Sequence, residues 1–311
     1  MDVSVWVWAL FGGLVLAALA LDLGFLGRSG GELSLRAATI RSAAWIGLAL
    51  AFAVLVLVLY GQHAALTYLT AYLLEKSLSV DNIFVFVLIF TELQIPPDRQ
   101  RRVLLWGVIG ALLMRALLIG AGLFILERFH WVIYPFAALI IFAAIRLLWG
   151  REKQRELVVA ACSICTSWVA RFIPVTGQFE GNRFWVRKAG KLVATPLFVA
   201  LIVVETTDVI FALDSIPAVL AVTREPFLVY TSNVFAMLGL RSLYFVLAGV
   251  IDRFHYLRVG LATILIFFGG RLLLSDVVHV PTWASLLVIV LALVVSVGAS
   301  IRWPKLQERP D

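Results

Sequence analysis

Three carboxylates lie inside one apolar run. The stretch from Glu205 to Thr223 reads ETTDVIFALDSIPAVLAVT and sits within an apolar segment from about 197 to 222. At the centre of a bilayer each of Glu205, Asp208 and Asp214 costs roughly 2.5–3.5 kcal/mol, so their presence asks for a chemical reason. A second stretch, EKSLSVDN, puts Glu75, Lys76, Ser77, Ser79, Asp81 and Asn82 in the middle of another apolar run. Asp22 stands near the end of the first run, and Ser215 follows Asp214. The candidate metal ligands are therefore Asp22, Glu75, Asp81, Asn82, Glu205, Asp208, Asp214 and Ser215. All are oxygen donors, and no Cys or His lies at mid-run depth. Hard oxygen ligands suit Mg²⁺, Ca²⁺ and Mn²⁺, whereas softer metals prefer sulfur or imidazole. A carboxylate cluster releases protons when it takes a metal, which is the elementary chemistry of proton–cation exchange.

These groups need elements that bring them together. In a straight helix at about 100° per residue, Glu205 and Asp208 share a face, but Asp214 lies about 120° from Asp208. Pro217 removes the hydrogen bond its N–H would give to the carbonyl of Leu213, so a break at 213–214 is expected. Glu75 and Asp81 have the same six-residue separation, and an unwound turn is expected near 77–81. Arg115 and Arg241 fall in the middle of two other apolar runs. A buried arginine needs an anionic partner, and the intramembrane acids are the expected partners.

The composition fixes the setting. The chain is 62% hydrophobic and 14% charged, with a mean hydropathy of +0.99; soluble domains do not look like this. Apolar runs fall at about 3–26, 42–60, 64–93, 103–126, 131–149, 194–222, 228–250, 257–275 and 282–301. This predicts an all-α, polytopic transmembrane helical bundle of about nine spans, forming one domain over 1–311. The first run has no Lys or Arg before it and continues past Ala18-Leu19-Ala20, so it reads as an uncleaved span. Lys and Arg crowd the odd-numbered loops and the C-terminal tail, nineteen in all, while the even-numbered loops hold only Arg128 and Arg224. Positive residues mark the cytoplasmic side. The N-terminus is thus expected in the periplasm and the C-terminus in the cytoplasm. The net charge of +7 belongs to these loops and does not point to nucleic acid. Cys162 and Cys165 form a single CxxC in the long loop at 150–193; without a second pair or nearby His, it falls short of a zinc or redox motif.

The chain also repeats itself. Residues 107–131 match 233–256, with Arg115 on Arg241 and ERFHW on DRFHY. Arg146 falls on Arg271, Asp81 on Asp214 and Glu75 on Asp208. The two units run over about 64–149 and 194–275. Each holds three crossings, so they enter the bilayer from opposite sides. Inverted repeats with a site at their interface are a transporter signature.

Several segments carry a family resemblance: EKSLSVDNIFVF, PVTGQF, the long ATPLFVALIVVETTDVIFALDSIPAVLAVTREPFLVYTSN, LGLRSLYF and DRFHYLRVG. On these residues the chain resembles the TerC/Alx family of bacterial integral membrane proteins, from about Ala20 to Leu274. The resemblance implies a LysE-superfamily-like fold. It also implies links to manganese export, tellurium resistance and alkaline stress. Asp22, Glu75, Asp81, Glu205, Asp208 and Asp214 match that family's acidic membrane positions. One departure is the fifth loop, REKQRELVVAACSICTSW, which lacks an acidic stretch. The expected function is a divalent-cation exporter of the inner membrane, with Mn²⁺ favoured and protons exchanged. The cation is then the transported ion, and no permanent cofactor is expected. No HExxH, GxSxG or P-loop pattern is present, so no enzyme is expected. A non-transporting scaffold of a stress-resistance or membrane-insertion complex is the alternative. Metal identity, coupling ion and self-association stay open.

Overall fold

A computed structural model describes residues 3–24, 35–149, 151–188, 190–248, 254–275, 277 and 280–303. Within these, the elements in order are α1 (Val5–Gly24), α2 (Leu35–Glu92), α3 (Pro97–Arg128), a 3-10 turn (His130–Val132), α4 (Ile133–Leu148) and α5 (Arg151–Phe172). A hairpin of β1 (Trp185–Lys188) and β2 (Lys191–Ala194) follows, then α6 (Pro196–Val222), α7 (Pro226–Met237), α8 (Leu240–Leu247), α9 (Leu257–Leu273) and α10 (Thr282–Arg302). Within the described residues, each expected apolar run falls mainly on helix. By length and composition α2, α3, α6 and α10 can each cross a bilayer, and α4 with α5 adds a fifth if that bent pair is one span. Only 22–44% of the apolar windows in those four helices is buried inside the protein. The remaining apolar surface includes Trp6, Leu57, Val58, Leu117, Phe124 and Val295. A patch of that extent fits a lipid environment, not water.

Glycines mark the sharp places. At Gly61 (φ 84°, ψ 176°) α2 turns between its arms, 35–60 and 62–92. Only a residue without Cβ adopts this backbone readily. Gly239 (φ 82°) separates α7 from α8, and a Cβ there would meet the Trp45 ring at 2.8 Å.

This corrects the expectation of broken helices at the acids. The second arm of α2 is continuous through 77–81, and α6 is continuous through 213–214 with Pro217 inside it. The interruption falls at Gly239 instead. The physical reason lies in the site itself, where acids six residues apart serve two different arginines.

The long loop is also structured. Val158, Cys162 and Val169 of α5 are buried, with Cys165 partly so, against α2 and α6. Their spacing of four, three and four residues is a helical stripe. Arg99 and Arg102, at the start of α3, lie over the rings of Phe179 and Phe184 at 4.9 Å. Loops three and five therefore meet at one end of the bundle. An aromatic cluster of Phe11, Phe52, Tyr68, Phe227 and Phe235 joins α1, α2 and α7. The main packing partners are α4 with α9, α3 with α6, and α2 with α7 and α8.

Candidate cation site

Arg115 of α3 and Arg146 of α4 hold three acids of α2 and α6 in ion pairs. Arg115 stands midway along α3. Its Nη1 donates to Glu75 Oε2 at 2.7 Å and to Ser215 Oγ at 3.2 Å, and its Nε donates to Asp208 Oδ2 at 3.4 Å. The Arg115 and Glu75 side chains are 2% and 1% exposed. The repeat-related pair Glu75 and Asp208 is thus gathered by one guanidinium. Two carboxylates on one arginine leave a net negative charge when both are ionised. Glu75 Oε1 and Asp208 Oδ1 are buried with no hydrogen-bond partner among the described residues.

The second group lies one and a half turns further along both helices. Asp81 and Asn82 of α2 and Asp214 and Ser215 of α6 line a small cavity with Arg146 of α4. Arg146 Nη2 forms an ion pair with Asp214 Oδ2, and the two side chains are 25% and 15% exposed. The Arg146 guanidinium lies 5.9 Å from the centroid of the Phe211 ring. Asp81 accepts a side-chain hydrogen bond from Gln154 of α5 and feels the charges of Arg258 and Arg146. The cavity is about 20 Å³. One water needs roughly 10–15 Å³ of such space, so the cavity suits a single water or a bare ion. Asp81 also lines a second, mostly apolar cavity of about 200 Å³, with Phe84, Leu243 and Arg258. Asp81 therefore stands where the larger space meets the smaller one. Ser215 belongs to both groups, bonding Arg115 and lining the small cavity.

The eight proposed ligands do not converge on one point. Asp81, Asn82, Asp214 and Ser215 come together, while Glu75 and Asp208 are held by Arg115. Glu205 is half-buried, with its carboxyl against Gly110 of α3, where any Cβ would overlap it. Among the described residues it makes no ion pair; Asp208 is the charge nearest enough to act on it. The Asp22 side chain lies outside the described residues. Among the described residues no cluster of three or more His, Cys, Asp or Glu could hold a metal. Any ion at the small cavity would rely on two carboxylates completed by Asn82 and Ser215. Arg115 pairs with the acids as expected. Arg241 is buried and lines a separate cavity with Leu19, Leu105, Val108 and Gly239.

Sequence reasoning missed Arg146, Gln154 and Arg258. Arg146 carried a signal in its match to Arg271, but it ends a span beside a basic loop, where an arginine is ordinary. Lys76, beside Glu75, donates its Nζ to the carbonyl of Ala236 at 3.2 Å, near the interruption of α7 and α8.

Outside the membrane-spanning segments, the Cys162 thiol is pushed up to about 11, first by burial and then by Glu92 and Cys165. It stays protonated at neutral pH, and the thiol is a poor nucleophile.

Comparison with known proteins gives a consistent picture. The pattern of the family described as "Integral membrane protein TerC family" matches residues 60–308. The chain is 46% identical over 295 residues to "Uncharacterized membrane protein STKORF319" of Myxococcus xanthus, covering 95% of this chain and 92% of that one. It is 41% identical over 289 residues to "Putative membrane-bound redox modulator Alx" of Salmonella typhi, and 40% identical to the protein of the same name in Escherichia coli (strain K12). Each Alx match covers 90% of this chain and 89% of the relative. No solved structure matches the chain.

Proposed function

We propose that this chain, which belongs to the TerC family of integral membrane proteins, exports a divalent cation across the bacterial inner membrane in exchange for protons. Mn²⁺ is the favoured ion. The observation that carries the reading is the meeting of Asp81 and Asp214, from two separate membrane helices, at a cavity the size of one ion. Asn82 and Ser215 supply neutral oxygens beside them, which suits a hard divalent cation. Glu205 is the candidate proton carrier. A half-buried membrane acid that makes no ion pair among the described residues is favoured in its protonated form or in contact with water.

In this reading the chain crosses the bilayer nine times, with a periplasmic N-terminus and a cytoplasmic C-terminus. The joining of loops three and five at one end supports their sharing a side. The inverted repeat draws support from the packing. Exchanging the two units turns the α3–α6 contact into the contact of α7 and α8 with α2, and returns α4–α9 to itself. Tellurite and alkaline-stress phenotypes would follow from disturbed metal balance. The Alx relatives are named for redox modulation; a redox role of this chain's own thiols would rest on Cys162 and Cys165, its two cysteines, and the protonated, buried Cys162 suits packing better.

The test is Mn²⁺ uptake into inside-out vesicles under an imposed proton gradient. Wild-type protein should accumulate Mn²⁺, and Asp81→Asn and Asp214→Asn should not. Normal uptake by both variants would remove the carboxylates as the site, and no uptake by the wild-type protein would overturn the exporter reading.

A further inference from the structure

We infer that Arg146 is a tethered counter-cation: it occupies the Asp81/Asp214 site when the carrier is empty and is displaced when a divalent cation enters. The inference rests on the cation-export reading and specifies how the empty site returns across the membrane. Four observations carry it. Arg146 forms its ion pair with Asp214 inside the cavity that Asp81, Asn82 and Ser215 also line. The guanidinium lines that cavity and already holds Asp214 Oδ2, so a divalent cation that takes this oxygen as a ligand meets a positive charge at contact distance and drives it off. The Arg146 side chain is 25% exposed, against 2% for Arg115, so it has somewhere to go. The Phe211 ring, 5.9 Å from the guanidinium carbon, offers a face on which a released arginine can rest, since cation–π contacts hold to about 6 Å.

The charge argument gives the arrangement its purpose. Two carboxylates facing a low-dielectric cavity without a counter-charge repel each other and resist burial. A carrier left in that state after releasing its ion would be held from reorienting. An arginine that swings in neutralises one carboxylate and lets the empty site pass through the membrane. A divalent cation brings twice the charge and displaces it. The asymmetry with the other unit fits this: the repeat-related Arg271 donates to Ser285 Oγ at 2.9 Å, not to an acid of α2 or α6.

The experiment uses the purified full chain. Mn²⁺ binding is measured in detergent by loss of the free-ion EPR signal, and radioactive Mn²⁺ flux is measured in proteoliposomes. Arg146→Gln should bind Mn²⁺ about tenfold tighter, within the usual 5–150-fold range of site coupling. Its net efflux should fall by a similar factor, while Mn²⁺–Mn²⁺ exchange, which never requires the empty carrier to reorient, continues. Arg146→Lys, which keeps a tethered charge, should restore net efflux. In the wild-type protein, Mn²⁺ should raise phenylglyoxal labelling of Arg146 and leave Arg115 unlabelled. Unchanged affinity and efflux in Arg146→Gln, or labelling that Mn²⁺ leaves unchanged or lowers, would overturn the counter-cation role while wild-type transport keeps the exporter reading intact. No Mn²⁺ binding or flux in the wild type would overturn both.

Discussion

Arg115 and Arg146 meet the same kind of partner in two different ways. Arg115 is sealed, holds two carboxylates and a serine, and exchanges nothing with the outside. Arg146 is partly exposed, holds one carboxylate, and borders a cavity. By the sequence match read above, the acids involved correspond, Glu75 with Asp208 and Asp81 with Asp214. Chemistry alone therefore does not separate a structural ion cluster from a working one. The enclosure does: a sealed guanidinium fixes three helices, and one with an open side can be replaced.

The strongest test of this contrast removes the working carboxylates. Asp81→Asn and Asp214→Asn should abolish cation export yet leave membrane abundance unchanged, because taking an acid out of the bilayer interior relieves a cost. Transport and immunoblot together check it. Next comes the sealed cluster. Arg115→Ala strands two buried acids and should destabilise the protein by about 3–5 kcal/mol, seen as lost abundance. The triple change Arg115→Met, Glu75→Gln, Asp208→Asn should recover abundance; if it does not, the cluster is more than a fixed brace. Gly110→Ala should be milder, about 1–3 kcal/mol, the range for overpacking a tight site. It displaces the Glu205 carboxyl, so proton-driven flux should suffer more than Mn²⁺–Mn²⁺ exchange. The smallest effect concerns α5. Cys162 should resist maleimide at pH 7 and react as the pH approaches 11. Because the folded thiol holds its proton more tightly than the unfolded one, the docking of α5 should weaken as pH rises from about 9 toward 11. Fast labelling at neutral pH would contradict the buried placement.

Much of this was legible in the chain. The acids, their repeat-related pairing and Arg115 as a partner could be read from residue types and spacing. The six-residue separation was misread because a single site was assumed, and convergence then demanded broken helices. With two arginines on two helices, straight segments suffice. Arg146 hid among the basic residues of a loop boundary. The stripe at 158, 162, 165 and 169 hid in a segment whose charged start reads as loop. Gly239 showed no more signal than the other glycines of the chain, because the side chain a Cβ there would strike, Trp45, is far away in sequence.

The turn at Gly61 has a consequence for biogenesis. It joins two long helical arms with no intervening loop, so they can leave the translocon side by side as one hairpin. The first arm carries AFAVLVLVLY, and the second carries Glu75, Lys76 and Asp81. Alone, the second arm would partition poorly, since each midplane charge costs a few kcal/mol. Entering as a pair, the oily arm can chaperone the charged one into the bilayer before α3 and α6 arrive to neutralise it.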